Sequence, residues 1–131
     1  MADNQLILKQ EGLVPLLEES GMAALLQPLT REIHLFDSFV AGTARLKNPA
    51  VLDTLTEGTK LRLQREENKF DDNAILLLTQ QGQKVGYVPE KDNLVFARLM
   101  DAGKLLSATV TSIQKKGFLT MIGIGIYLVD F

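Results

Sequence analysis

The segment Glu67-Asn68-Lys69-Phe70-Asp71-Asp72-Asn73 gathers acids, amides, one cation and one large aromatic into a single connection between two strand-like stretches. Small polar residues would make that connection alone, so its contents point to chemistry. An aromatic such as Phe70 can stack under a nucleobase, because every base has a π-face. A carboxylate such as Asp71 accepts hydrogen bonds from a hydroxyl or a base edge. Glu66 and Glu67 with Asp71 and Asp72 also form an oxygen set of the kind magnesium takes, although adjacent loop acids more often cap their own backbone. The plainest reading, with Phe70 in the core and Asp71 capping the turn, stays open beside these.

Residue types elsewhere exclude most other chemistry. The chain has no cysteine and one histidine, His34, so no thiolate or histidine-cluster metal site is expected. No Walker loop and no nucleophile elbow occurs, and His34 reads as an ordinary strand residue; an enzyme is not expected, nor a cofactor. Gly123 and Gly125 form a G-x-G without a third glycine, a following helix or a ribose-binding acid, which is not a dinucleotide fingerprint. At alternate strand positions they fit the strong coiling of a small barrel.

The elements that hold the loop are legible from periodicity. Leu61, Leu63 and Arg65 alternate with Arg62, Gln64 and Glu66, placing one face inward. Ala74 to Leu78 is a short apolar run, the mark of a buried strand. Lys84 to Val88 forms a third strand behind a tight hairpin at Gln80-Gln81-Gly82-Gln83, where Gly82 supplies a positive φ. Before these, Glu32 to Ala44 reads as a first strand, and Pro49 to Leu55 as helical turns with proline at the first position. After them, Asp92 to Met100 reads as a helix with Leu94, Phe96, Ala97, Leu99 and Met100 on or near its apolar stripe, ended by Gly103 and plugging one end of the fold. Leu105 to Gln114 and Phe118 to Val129 are the last two strands, joined at Lys115-Lys116-Gly117.

Upstream, Leu6 to Leu29 is helical in pattern, interrupted at Gly21 and ended by Pro28. Residues 1–29 set Lys9 against Asp3, Glu11, Glu18 and Glu19, leaving −3 there and +1 over the remainder of a chain whose net charge is −2. Such a balance excludes a broad, salt-driven DNA-coating surface; nucleic-acid contacts would be local and few. The N-terminus lacks a secretory signal pattern. The apolar stretch 117–129 is short of the ~20 residues of a membrane helix. The expectation is a soluble, cytoplasmic protein with no membrane partner.

The blocks F-V-A-G-T at Phe39 to Thr43, R-E-E-N-K-F-D-D-N-A-I from Arg65, K-V-G-Y-V-P from Lys84 and A-R-L-M-D-A-G from Ala97 run in order, and together they resemble the HIRAN domain family. The likeness extends from about Ile33 to Leu128. It implies a mainly β (α+β) fold, a six-stranded, partly open barrel of the oligonucleotide-binding kind with two short helices. Residues 30–131 would be that domain and residues 1–29 an N-terminal helical extension, so the chain would be a free-standing family member. The resemblance further implies recognition of the 3′ end of single-stranded DNA, accessory to repair or replication. Phe70 and Asp71 would line the pocket within the N-x-[Y/F]-D loop that begins at Asn68. Tyr87 and Phe118 would face it. Apart from the resemblance, Arg45 could stack its guanidinium plane on a base or pair with a phosphate, and Lys69, Lys91 and Lys116 are the other candidates to meet phosphate. Two positions depart from the family pattern. Ala44-Arg45-Leu46 stands where relatives often carry an aromatic pair, and Glu90 stands where they place a phosphate-binding lysine.

The alternative function is a protein-interaction module with a decayed DNA pocket, the N-terminal helix contacting a partner or a second copy. If DNA is the ligand, Arg45, Lys69, Lys91 and Lys116 should converge on the Phe70–Asp71 pocket.

Overall fold

In the computed structural model, residues 31–130 are described. The six strands are β1 (Arg31–Phe39), β2 (Lys60–Arg65), β3 (Ile75–Leu78), β4 (Lys84–Tyr87), β5 (Leu105–Lys116) and β6 (Leu119–Asp130), with one α-helix, α1 (Asn93–Asp101), between β4 and β5. Two short 3-10 segments, Thr43–Arg45 and Pro49–Thr54, occupy the β1–β2 connection. The expected N-terminal helical extension, 1–29, and any partner contact through it lie outside the described residues.

The strands form one sheet in the order β1-β6-β5-β2-β3-β4. The β2–β3, β3–β4, β2–β5 and β5–β6 pairs are antiparallel. The sheet curls until its two ends meet at a single bridge. Ala41, just past β1, donates to the Tyr87 carbonyl at 2.8 Å, and the Tyr87 N–H donates back at 2.9 Å. Gly86 makes that meeting sterically feasible, since a Cβ there would lie 2.5 Å from both the Ala41 carbonyl oxygen and the Val40 side chain. A second close approach lies across β5 and β6. The register shifts between Val110 and Ser112, leaving Thr111 as a bulge, and a Cβ on the facing Gly123 would come within 2.5 Å of Ser112 Oγ. The bulge bends β5, whose first half pairs with β2 as well as β6 and whose second half pairs with β6 alone.

The core is what the periodicities call for: Leu61, Ile75, Leu77, Val85, Val110, Ile122, Ile124 and Ile126 are buried together, with Phe96 and Ala97 of α1 packed among them. Burying each such side chain is worth roughly 1.5–3 kcal/mol, so the buried blocks decide the fold. The helix buries Asn93, Phe96 and Ala97, spaced three and four apart, while Leu94 and Val95 point to solvent. Leu94 is thus not on the inward stripe: it sits a helical step of 100° away from Asn93.

Two boundaries differ from the sequence reading, and both reshape the site. The first strand ends at Phe39 rather than Ala44. Gly42 takes a left-handed φ of 79° and turns the chain into the Thr43–Arg45 segment, where buried Thr43 donates its hydroxyl hydrogen to the Thr120 carbonyl at 3.2 Å. The β5–β6 turn is Gly117-Phe118 rather than Lys115-Lys116-Gly117, because pairing continues to Lys116 opposite Leu119. Phe118 is therefore a turn residue and not the first of its strand.

Candidate nucleic-acid interface

The loop between β2 and β3 is built by its own amides and acids. Asn68 Oδ1 accepts from the Phe70 N–H at 2.8 Å, and Asp71 Oδ1 accepts from the Asn73 N–H at 2.9 Å. Each is a side chain bonding the backbone two residues on, and the two turns in succession explain why asparagine and aspartate stand there. Below them Arg65 reaches across. Its guanidinium donates to the Ala74 carbonyl at 2.7 Å, to the Asp72 carbonyl at 2.9 Å and, in a bidentate pair, to Asp101 at 2.9 and 3.3 Å. The Arg65 hydrogen bond is the chief reason that the Asp101 carboxyl lies below its ordinary value.

Asp71 faces two ways. Its Oδ2 accepts from Asn93 Nδ2 at 2.8 Å, and Asn93 is 2% exposed at the start of α1. The carboxylate therefore caps the turn, as the plainest reading had it, while still lining an open cleft of about 930 Å³. Each oxygen keeps lone-pair capacity for a further donor. Phe70 departs from that same reading. Its side chain is 92% exposed and is not in the core; it projects from the loop beside the cleft without lining it.

The cleft runs from the loop along the Ala41–Tyr87 bridge to the start of β6. Of the sequence-expected residues, Arg45, Asn68, Asp71 and Tyr87 line it. Lys69 lies in a separate shallow depression with Arg65, Glu66 and Asp72. Lys91 stands outside the cleft, 5.6 Å from the centre of the Phe39 ring and 3.8 Å from Asp92. Phe118 is fully exposed at its turn, and neither it nor Lys116 lines the cleft. Of the four cations expected to converge, only Arg45 does. Glu90 lines the wall as well, so the departure in sign is also a departure in the cleft.

Several lining residues escaped the sequence reading. Phe39, 44% exposed, is an aromatic wall at the end of β1; it sits in the F-V-A-G-T block and was legible there as an aromatic beside the glycine turn. Leu119 and Met121 add a half-exposed apolar floor. Lys84 is the main surprise. A period of two puts Lys84 and Tyr87 on opposite faces of β4. The register shift that pairs Leu77 with Gly86 and Leu78 with Lys84 makes Val85 an extra residue, and Lys84 returns to the face of Tyr87. Lys84 Nζ lies 4.5 Å from the centre of the Tyr87 ring and donates to its hydroxyl oxygen at 3.1 Å. The Tyr87 hydroxyl in turn donates to Glu66 Oε1 at 2.8 Å, which also accepts from Asn68 Nδ2 at 3.3 Å.

These contacts define what the cleft can do. It offers aromatic faces at Phe39 and Tyr87, cations at Arg45 and Lys84, and acceptors at Asp71 and Glu90. Among the described residues no group of three His, Cys, Asp or Glu side chains is arranged to hold a metal ion. Nor is any helix there long and apolar enough to cross a membrane.

Comparisons with known proteins bear on the family and the fold. A protein-family model described as the HIRAN domain matches residues 33–128. A crystal structure of a protein from Lactobacillus plantarum is similar with a TM-score of 0.72 and 30% identity, covering 78% of this chain and 99% of that one. The crystal structure of the HIRAN domain of human HLTF is similar with a TM-score of 0.62 and 18% identity, covering 79% of this chain and 82% of that one. At that identity the second likeness speaks to the fold. No curated protein matches the chain.

Proposed function

The chain belongs to the HIRAN domain family, and on that footing we propose that it is a non-enzymatic module that binds single-stranded DNA by its 3′ end, accessory to repair or replication. Family membership carries the coarse part, nucleic-acid binding. The observation that supports the finer part is Asp71, a carboxylate held by Asn73 and Asn93 on the wall of a cleft that also holds Arg45 and Lys84. A carboxylate repels phosphate, so it suits a polyanion only opposite a donor. At the end of a strand that donor is the terminal 3′-hydroxyl, whose oxygen is esterified in every internal nucleotide. The exposed Phe70 ring and the Phe39 and Tyr87 walls supply surfaces on which bases can stack.

A hydrogen bond to a charged acceptor is worth roughly 1.5–3 kcal/mol, or about ten- to hundredfold in affinity. Fluorescence anisotropy with one short oligonucleotide ending in a 3′-hydroxyl and another ending in a 3′-phosphate should show that preference for the hydroxyl. Equal binding of the two would sink end recognition. The competing reading, a protein-interaction module, draws on Glu90 in the cleft and on Lys69, Lys91 and Lys116 outside it; it expects neither oligonucleotide to bind.

A further inference from the structure

Tyr87 has one hydroxyl hydrogen, and it is given to Glu66 at 2.8 Å. Facing the cleft, the phenol is therefore an acceptor, already bonded by Lys84, and has no donor left for a phosphate oxygen. Glu90 is an acid, and Lys91, which is not among the lining residues, has its ammonium 5.6 Å from the centre of the Phe39 ring and 3.8 Å from the Asp92 carboxylate. Arg45 and Lys84 are the cations on the cleft wall, and among the described residues neither has a carboxylate within ion-pair distance. Lys60, Arg65 and Lys115, which lie elsewhere, are each paired with an acid.

Resting on the single-stranded DNA reading above, we infer that Lys84, and not Lys91, is the lysine that meets the ligand's backbone phosphate, making good the charge that Glu90 removes. The bulge at Val85 is what delivers it, by bringing Lys84 to the face of Tyr87. A ring and a phenol oxygen hold the ammonium at the wall without neutralising it. The phosphate thus finds a positioned charge whose only partners are neutral. Glu66 is reached from Lys84 only through the phenol, which accepts from the ammonium and donates to the carboxylate.

Titration of the full chain with a 3′-hydroxyl oligonucleotide at several salt concentrations tests the assignment. Lys84→Met should weaken binding about eightfold at 50 mM salt and flatten the slope of log affinity against log salt by about 0.7, one phosphate contact on a single strand. Lys84→Arg should restore the slope, and Lys91→Met should leave it unchanged. Thermal melts of the variants check that the fold is kept. A flattened slope in Lys91→Met with none in Lys84→Met would overturn the inference while leaving end binding intact, as would failure of Lys84→Arg to rescue. A wild-type chain that binds no oligonucleotide would remove the proposed function, and the role of Lys84 with it.

Discussion

Two tips of this molecule present a phenylalanine to solvent, and they are built in opposite ways. Phe70 stands on a loop whose backbone is bonded by Asn68 and Asp71, tied from below by Arg65 and fastened to α1 through Asn93 and Asp101. Phe118 stands on a two-residue turn held by the pairing of Lys116 with Leu119. The contrast teaches where the fold invests order. An exposed aromatic costs nothing to display, but holding it at a fixed distance from a carboxylate and a cleft takes a network. Pre-organised loops lose less conformational entropy on binding, so the tied tip is the one suited to recognition.

Cutting the network should hurt most. Arg65→Met removes the donors to Ala74 and Asp72 and the pair with Asp101, and should lower stability by about 3 kcal/mol, read as a lower denaturation midpoint at unchanged m-value. Lys116→Met at the other tip should change it by less than ~0.5 kcal/mol. Similar losses at both sites would dissolve the distinction.

Asp71→Ala comes next. It deletes one turn bond and orphans the buried Asn93 amide, which should cost about 1–3 kcal/mol of stability. In anisotropy it should also erase most of the ten- to hundredfold preference for a 3′-hydroxyl over a 3′-phosphate. A retained preference would mean that the loop is ordered for some purpose other than the strand end.

The aromatic rings themselves sharpen the comparison. Phe70→Ala should leave the melting temperature nearly unchanged, because the ring is exposed, yet weaken both oligonucleotides by about 1–3 kcal/mol through lost stacking. Phe118→Ala should weaken them by less than ~0.5 kcal/mol, since nothing fixes that ring toward the cleft. Equal effects in the two variants would show that the hairpin tip shares the ligand.

The smallest effect is one of pH. The Asp101 carboxyl is held below its ordinary value chiefly by Arg65, so the folded chain keeps it charged where the unfolded chain has begun to protonate it. Its contribution is complete once the pH is well above the ordinary aspartate value of about 4, and it disappears as pH falls through the lowered folded value. Wild type should therefore lose slightly more stability than Arg65→Met between about pH 5 and pH 2.5, as measured by thermal melts. No difference in the two acid limbs would mean that solvent already screens the exposed pair.

Local interactions wrote what is legible in the sequence. The strands around Leu61, Ile75 and Val85, the Gly82 hairpin and the stop of α1 near Gly103 follow from periods of two and 3.6 and from φ preferences, which act between near neighbours. The loop contents of Asn68 and Asp71 belong to the same class, because each bonds the backbone two residues on. Arg65 shows where that ends. Its inward phase on β2 was readable, but Asp101, 36 positions later, is its partner only because α1 packs there. The cleft goes further, since Arg45, Asp71, Lys84 and Met121 meet only when Ala41 bridges to Tyr87 and the sheet closes. One bulge at Val85 reverses the face on which Lys84 lies, and one left-handed residue at Gly42 turns the Thr43–Arg45 segment off the line of β1. The bulge leaves no periodic trace, because it is set by the pairing of β3 with β4, and Gly42 marks a turn without fixing what that turn meets. For that reason the sequence held the fold and the Asn68–Asp71 loop, and tertiary structure alone chose which charges line the cleft.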